Sequence, residues 1–320
     1  MTGYRREWLD EVCLDGGVAW GRLSVRDDSI RDDPDEPPRR SGTPSRATPI
    51  TMTIRDDLPW LLCAARGDRR PAEPGPGGTA DVLDALRQRG ALFPPDLETL
   101  TGRLPSQVEE ALWDGVARGL ITADGFRAVR SLFARRIAQA SATTFGRPRL
   151  RRGGQLVGQR GGQRGGQLSA RTAGRWSLVP EPAADCDPDD LAEAVAEQLA
   201  ARWGVVFRDL LARESLAVPW REVLWALRRM EARGTICGGR FVHGFSGEQF
   251  AHPDAVGPLR DIRKRPRTGE TVTLSAADPL NLAGIVLPGP RIAAVRTNSV
   301  VYVDGALKED EPPWTATGTQ

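Results

Sequence analysis

The strongest constraint on this chain lies between Asp190 and Val242, where the pattern runs helix, short apolar link, helix, turn, helix and then a glycine-centred hairpin. Asp189 to Trp203 has the length and apolar spacing of a first helix, and Val205-Val206-Phe207 is its extended link. Arg208 to Glu214 reads as a second helix. Val218-Pro219-Trp220 opens a third, with Val223, Leu224, Leu227 and Met230 turned inward. Thr235 to Val242 reads as a wing turning at Gly238-Gly239. Three helices and a hairpin in this order are a common means of meeting nucleic acid, with the third helix laid in the major groove.

The pattern occurs a second time. Thr79 is an N-cap for a helix over Ala80 to Arg89, and Ala91-Leu92-Phe93 is a link. Asp96 to Thr101 is a second helix, and Gly102 the turn after it. Pro105 opens a third that runs to Arg118, with Val108, Leu112 and Val116 apolar. Leu120 to Val129 reads as a hairpin around Asp124-Gly125. Nearer the start, a helix over Tyr4 to Leu14 precedes strands over Val18 to Val25 and Thr48 to Ile54. That is the back end of a further copy, so the chain is expected to begin inside a domain. From Thr271 the helical period fades, and Val272 to Leu274, Ile285 to Leu287, Ile292 to Val295 and Val300 to Val303 read as strands.

The expected fold class is therefore α+β, with tandem winged-helix domains and a C-terminal β-barrel or β-sheet domain. The expected boundaries are a partial winged helix with an acidic insertion (1–66), a linker (67–78) and a winged helix (79–133). An Arg/Gly/Gln-rich linker (134–173), a second winged helix (174–245), a β domain (246–308) and a disordered tail (309–320) follow.

Charge location says more than charge total. The 44 basic and 42 acidic residues nearly cancel, and Lys264 and Lys308 are the only lysines. Asp27 to Glu36 is acidic, whereas Arg135 to Arg175 contains no carboxylate. Such an arginine-rich, low-complexity stretch fits a flexible linker that also holds phosphates by counterion release. Four widely spaced cysteines without a C-x-x-C pair fit reduced thiols in a cytoplasm. Two histidines exclude a His-rich metal site, and no metal or cofactor is expected. No apolar run approaches the roughly 18 residues of a spanning helix, and no signal peptide opens the chain.

The two third helices differ in their outward residues. The helix from Pro105 to Arg118 shows Glu109, Glu110 and Asp114, which repel phosphate and fit a packing role. The helix from Pro219 to Arg233 shows Arg221, Arg228, Arg229 and Arg233 against Glu222 and Glu231, and Arg240 lies on its wing. The DNA-binding candidates are Arg175, Trp176, Trp220, Arg221, Arg228, Arg229 and Arg240, the tryptophans as stacking surfaces. Trp225 is assigned to the core.

Several segments carry a family resemblance: Gly174-Arg175-Trp176-Ser177-Leu178, the run Arg202 to Leu211, the run Gly238 to Ala251, Ala277 to Gly284, and Asn298 to Gly305. Over most of Gly174 to Leu307 the chain resembles the C-terminal region of Lhr, the large helicase-related proteins of bacteria. The resemblance implies an ATP-driven DNA translocase followed by tandem winged helices and a β-barrel. That assembly is similar to winged-helix DNA glycosylases of the AlkZ type, and uracil excision has been attributed to Lhr proteins. The chain departs from the family in having no G-x-x-x-x-G-K-[ST] loop and no D-E-x-H box, so ATP hydrolysis does not carry over. The Gln-x-Asp or Gln-x-Gln motif of AlkZ-type enzymes is not evident either.

The expected function is that of a DNA-binding C-terminal module acting in DNA repair without a motor of its own. The alternative is a uracil DNA glycosylase. The resemblance makes Asp304, after the strand Val300 to Val303, its first catalytic candidate, followed by Glu248 and Gln249. The expected partners are single-stranded or branched DNA, a separate helicase motor chain and a second copy of this chain, with no membrane.

Overall fold

The computed structural model describes residues 3, 5–25, 50–130, 174–278, 280–284, 286–287, 291–295 and 297–308. The acidic insertion, the expected linker at 134–173 and the tail at 309–320 lie outside the described residues. The chain divides into two units, Met1–Cys186 and Asp187–Gln320.

In the first unit, helix α1 (Arg6–Leu14) leads into a hairpin of β1 (Val18–Gly21) and β2 (Thr51–Ile54), paired Val18 to Ile54 through Gly21 to Thr51. Helix α2 (Leu58–Arg66) follows a short 3-10 turn, and then come α3 (Gly78–Arg89), α4 (Pro94–Thr101) and α5 (Pro105–Arg118). The apolar stripe of α5 places Val108, Leu112 and Val116 in the core, as its period requires. The next strand, β3 (Ile121–Ala123), does not turn back at Asp124-Gly125. Its antiparallel partner is β4 (Trp176–Leu178), and Leu92 bridges to Trp176 on the other side. The link strand, the late strand and the early strand thus lie side by side in that order. Residues 174–178 belong to this sheet rather than opening the next domain.

Tryptophan fills this core. Trp176 meets Trp113 edge to face at 5.4 Å, and Trp20 meets both at 6.3 Å. Helix α5 also lies close to its sheet, since a Cβ on Gly115 would stand 2.3 Å from Ile121 Cδ1. Its C-terminal carbonyls are satisfied by arginines: Arg22 Nη1 donates to Ala117 O at 2.9 Å and Arg66 Nη2 to Gly119 O at 2.8 Å. Burial pushes the Arg66 guanidinium below its ordinary pKa.

Cys63 and Cys186 form a disulfide across 123 residues, with Cα atoms 6.7 Å apart. This corrects the expectation of four free thiols. The segment before Cys186 folds back over α2, where Ala183 N donates to Pro59 O, and that brings the pair together. Cys13, buried, and Cys237, exposed, stay free.

The second unit opens with α6 (Pro188–Trp203), capped by Asp187, whose side chain accepts from Asp189 N at 2.8 Å. It continues through β5 (Val205–Val206), α7 (Arg208–Leu211) and α8 (Trp220–Ala232) to β6 (Cys237–Gly239) and β7 (Gln249–Ala251). The sheet order is β5-β7-β6, again link strand, late strand, early strand. The wing therefore does not turn at Gly238-Gly239. Those glycines are strand, and residues 240–248 form the loop. Gly238 N donates to Glu231 Oε1 at 3.1 Å, and a Cβ at position 238 would displace that carboxylate.

Where a β domain was expected from 246, a helix intervenes: α9 (Pro253–Lys264). Strands β8 (Thr271–Ser275), β9 (Ser299–Val303) and β10 (Ala306–Leu307) then make an antiparallel sheet in the order β10-β9-β8. This sheet is open; among the described residues no closed barrel forms. Within the expected strands at 285–287 and 292–295, the described residues 286–287 and 292–295 form irregular chain with one bridge, Ala283 to Leu287. No helix among the described residues is long and apolar enough to cross a membrane.

Candidate nucleic-acid interface

Helix α8 buries Val223, Ala226, Leu227 and Met230 and turns the rest of its surface outward. Trp225 lies on the outward side and is 46% exposed, so it is not core. At about 100° per residue, position 225 falls nearly opposite the face formed by Val223, Ala226, Leu227 and Met230, so the helical period itself turns Trp225 outward. One turn earlier, Arg221 stands over the Trp225 ring at 5.1 Å. Arg221 is the most exposed of the arginines paired on this helix and also reaches Glu222 at 3.0 Å. Trp220 is half-buried at the head of the helix. Arg240 is exposed on the wing loop.

Other arginines of this helix are already engaged. Arg229 reaches Asp189 at 3.4 Å, and Arg233 pairs with Glu193, so both fasten α8 to α6. Arg228 grips Glu248 with two hydrogen bonds, one of them 3.0 Å from Nε. The paired guanidinium holds the Glu248 carboxyl below the usual carboxylate range. Glu248 and Arg228, read as a catalytic group and a DNA contact, are thus each other's partners across the wing.

Gln249 is 1% exposed and closes the wing loop. Its Oε1 accepts from Phe241 N and Val242 N, both at 2.8 Å, and its Nε2 donates to Val242 O at 2.8 Å. A buried amide with its hydrogen bonds taken by backbone shapes the loop and does not face a substrate. Trp176 and Arg175 belong to the first unit. Trp176 is buried in the first unit's aromatic core, and Arg175 pairs with Asp124 at 2.9 Å. Burial removes Trp176 as a stacking surface.

Asp304 ends β9 in a left-handed conformation, φ 49°, which Asp tolerates in turns. Its carboxylate accepts from Gly269 N at 3.0 Å, Glu270 N at 3.0 Å and Thr268 N at 3.2 Å. The Gly269 N–H first, then those of Thr268 and Glu270 and the nearby Arg267, hold the carboxyl below its ordinary range. It is ionised, exposed and bound to the backbone that leads into β8. The segment Ala277 to Gly284 is likewise bound to its own backbone. Asp278 accepts from Leu280 N at 2.9 Å, and buried Asn281 spans Ala276 O and Ala283 N. Among the described residues no cluster of His, Cys, Asp or Glu is arranged to hold a metal.

On α5 the outward acids are only partly outward. Asp114 is buried, accepting from Thr79 Oγ1 at 2.8 Å and Arg118 Nε at 2.9 Å. Glu110 is exposed.

The second unit therefore carries a winged-helix domain, a protein class built to meet DNA. Residues 185–271 match the family described as the winged-helix domain of large helicase-related protein. The chain is 30% identical to the Lhr helicase/uracil glycosylase of Escherichia coli (strain K12), over 95% of this chain and 19% of that protein. It is also 30% identical to the "Lhr helicase/ probable uracil glycosylase" of Mycolicibacterium smegmatis, over 71% of this chain and 16% of that protein. The chain spans less than a fifth of the length of these curated relatives. It belongs to the Lhr family and corresponds to a C-terminal region of those proteins.

Proposed function

We propose that the chain is a DNA-binding module of the Lhr type, acting in DNA repair, and that α8 with its wing is the surface that meets DNA. The observation that carries this reading is the exposed Trp225 with Arg221 stacked on it, on the outward face of the third helix. A cation beside an exposed indole suits an unpaired base and its phosphate, because stacking on an aromatic ring contributes about 1–3 kcal/mol per base. That favours single-stranded or branched DNA over a closed duplex. The first unit is a second winged helix by its strand order, used for packing. The test is Arg221→Ala with Trp225→Ala, read by fluorescence anisotropy on a labelled single strand. Affinity should fall by about tenfold or more while the melting temperature holds, given that stacking energy. Unchanged affinity would put the contact elsewhere.

The relatives' names include uracil glycosylase, and Asp304 is an ionised, exposed carboxylate at the end of a strand. Base excision needs a carboxylate and a pocket for the extruded base. As a second reading, uracil excision by this chain would be lost in Asp304→Asn while the fold survives. Equal alkaline cleavage of uracil-containing single strands by parent and variant would remove Asp304 as a catalytic group.

A further inference from the structure

One strongly charged surface takes no part in the α8 face. Arg260, Arg263, Lys264, Arg265 and Arg267 place five cations within eight residues, against Asp261 alone. Helix α9 spends one side on packing. Val256 and Leu259 lie against the cluster of Val205, Phe207, Leu210 and Ala251, and Ala255 sits against Gly204. Arg260, Arg263 and Lys264 follow at i, i+3 and i+4 on the helix, neighbours on its surface, and all are exposed.

These cations differ from those of α8. Arg228, Arg229 and Arg233 each hold a carboxylate. Arg260, Arg263, Lys264 and Arg265 make no side-chain hydrogen bond or ion pair among the described residues. Cations in a last helical turn complement the macrodipole, and that accounts for Arg263 and Lys264. It does not account for Arg265 and Arg267, which lie beyond the helix end.

The chain after the helix is also held in place. Asp304 accepts from the backbone N–H groups of Thr268, Gly269 and Glu270, and Asp304 N donates to Glu270 O at 2.8 Å. The residues just past Arg267 are thereby fixed to the open sheet. The step from Arg260 to Lys264 is about 6 Å along a helix. That is close to two phosphate spacings of one strand, at about 3.4 Å each.

We propose that Arg260, Arg263, Lys264, Arg265 and Arg267 form a strip that binds the phosphates of a nucleic-acid strand, with Asp304 as the positioning residue at its far end. The strip rests on the reading that this unit meets DNA, and it extends that surface beyond α8. Having cations and no exposed ring, it contributes affinity without sequence or strand preference.

The full chain carrying Arg260→Gln, Arg263→Gln, Lys264→Gln and Arg265→Gln is titrated with labelled oligothymidylate and with a duplex across a salt series. The slope of log K against log salt should become shallower by about 3, at about 0.7 to 0.9 per lost cation. Arginine-to-lysine changes at positions 260, 263 and 265 should restore the parent slope. Asp304→Ala should flatten it by about one, the share of Arg267, an effect that loosening a loop with no phosphate contact would not produce. A parent-like slope in the glutamine variant overturns the strip. If Arg221→Ala with Trp225→Ala still weakens binding in that case, the α8 reading stands alone. If the parent chain binds neither oligonucleotide, both readings fall.

Discussion

Helices α5 and α8 hold the same place in the same order of elements, each following two helices and preceding two strands of a three-part sheet. Their surfaces are used in opposite ways. On α5 the tryptophan is inside: Trp113 is 4% exposed and packed against Trp176 and Trp20. Its Asp114 is buried and paired, and its C-terminus is plugged by Arg22 and Arg66. On α8 Trp225 is outside under Arg221, and Arg228, Arg229 and Arg233 latch onto neighbouring carboxylates. Position in the fold therefore does not decide how a third helix uses its surface. The decision lies in whether the aromatic residue of that helix points into the core or away from it.

The largest effect that would break this comparison is on stability. Trp113→Ala should destabilise the first unit by about 3–5 kcal/mol, the usual cost of emptying a buried aromatic site, in denaturant unfolding followed by circular dichroism. Trp225→Ala should leave the same curve nearly unmoved, as an exposed residue does. Equal destabilisation by both would mean that the two tryptophans play one role.

A smaller effect sharpens the account of α8. Glu248→Gln removes the carboxylate that occupies Arg228 and takes one negative charge off the wing. Affinity for a labelled single strand should rise a few-fold, with the gain shrinking at high salt. A loss of affinity would instead make the Arg228–Glu248 pair a brace that the interface needs.

Helices α3 to α5 and α6 to α8 were legible in the sequence because their signals are local. Val108, Leu112 and Val116 in α5, and Val223, Leu227 and Met230 in α8, repeat at helical spacing and are all buried. What could not be read there is long-range. Strand β4 pairs with β3 from more than fifty residues away, and Cys63 finds Cys186 across 123. Local turn chemistry at Asp124-Gly125 pointed to a hairpin that the distant β4 replaces, and at Gly238-Gly239 to a tight turn where the hairpin to β7 instead closes through the loop 240–248. Helix α9 was hidden because Gly257 and Pro258 interrupt it and it buries no residue fully. Of the candidate site, Arg221, Trp220 and Arg240 remain on or beside the α8 face. Trp176 is core, and Arg228, Arg229, Glu248 and Gln249 have structural partners. Trp225, which helical spacing already places opposite the buried face of α8, and the exposed cations of Arg260 to Arg267 join the surface.

The most direct test of the central claim is photo-crosslinking from the two third helices to the same labelled single strand. A benzoylphenylalanine is placed at position 225 on α8 in one protein and at position 110 on α5 in another, both exposed sites. Crosslinks should form from position 225 and be absent from position 110. Crosslinks from position 110, with none from 225, would contradict the account and make the first unit the one that meets DNA.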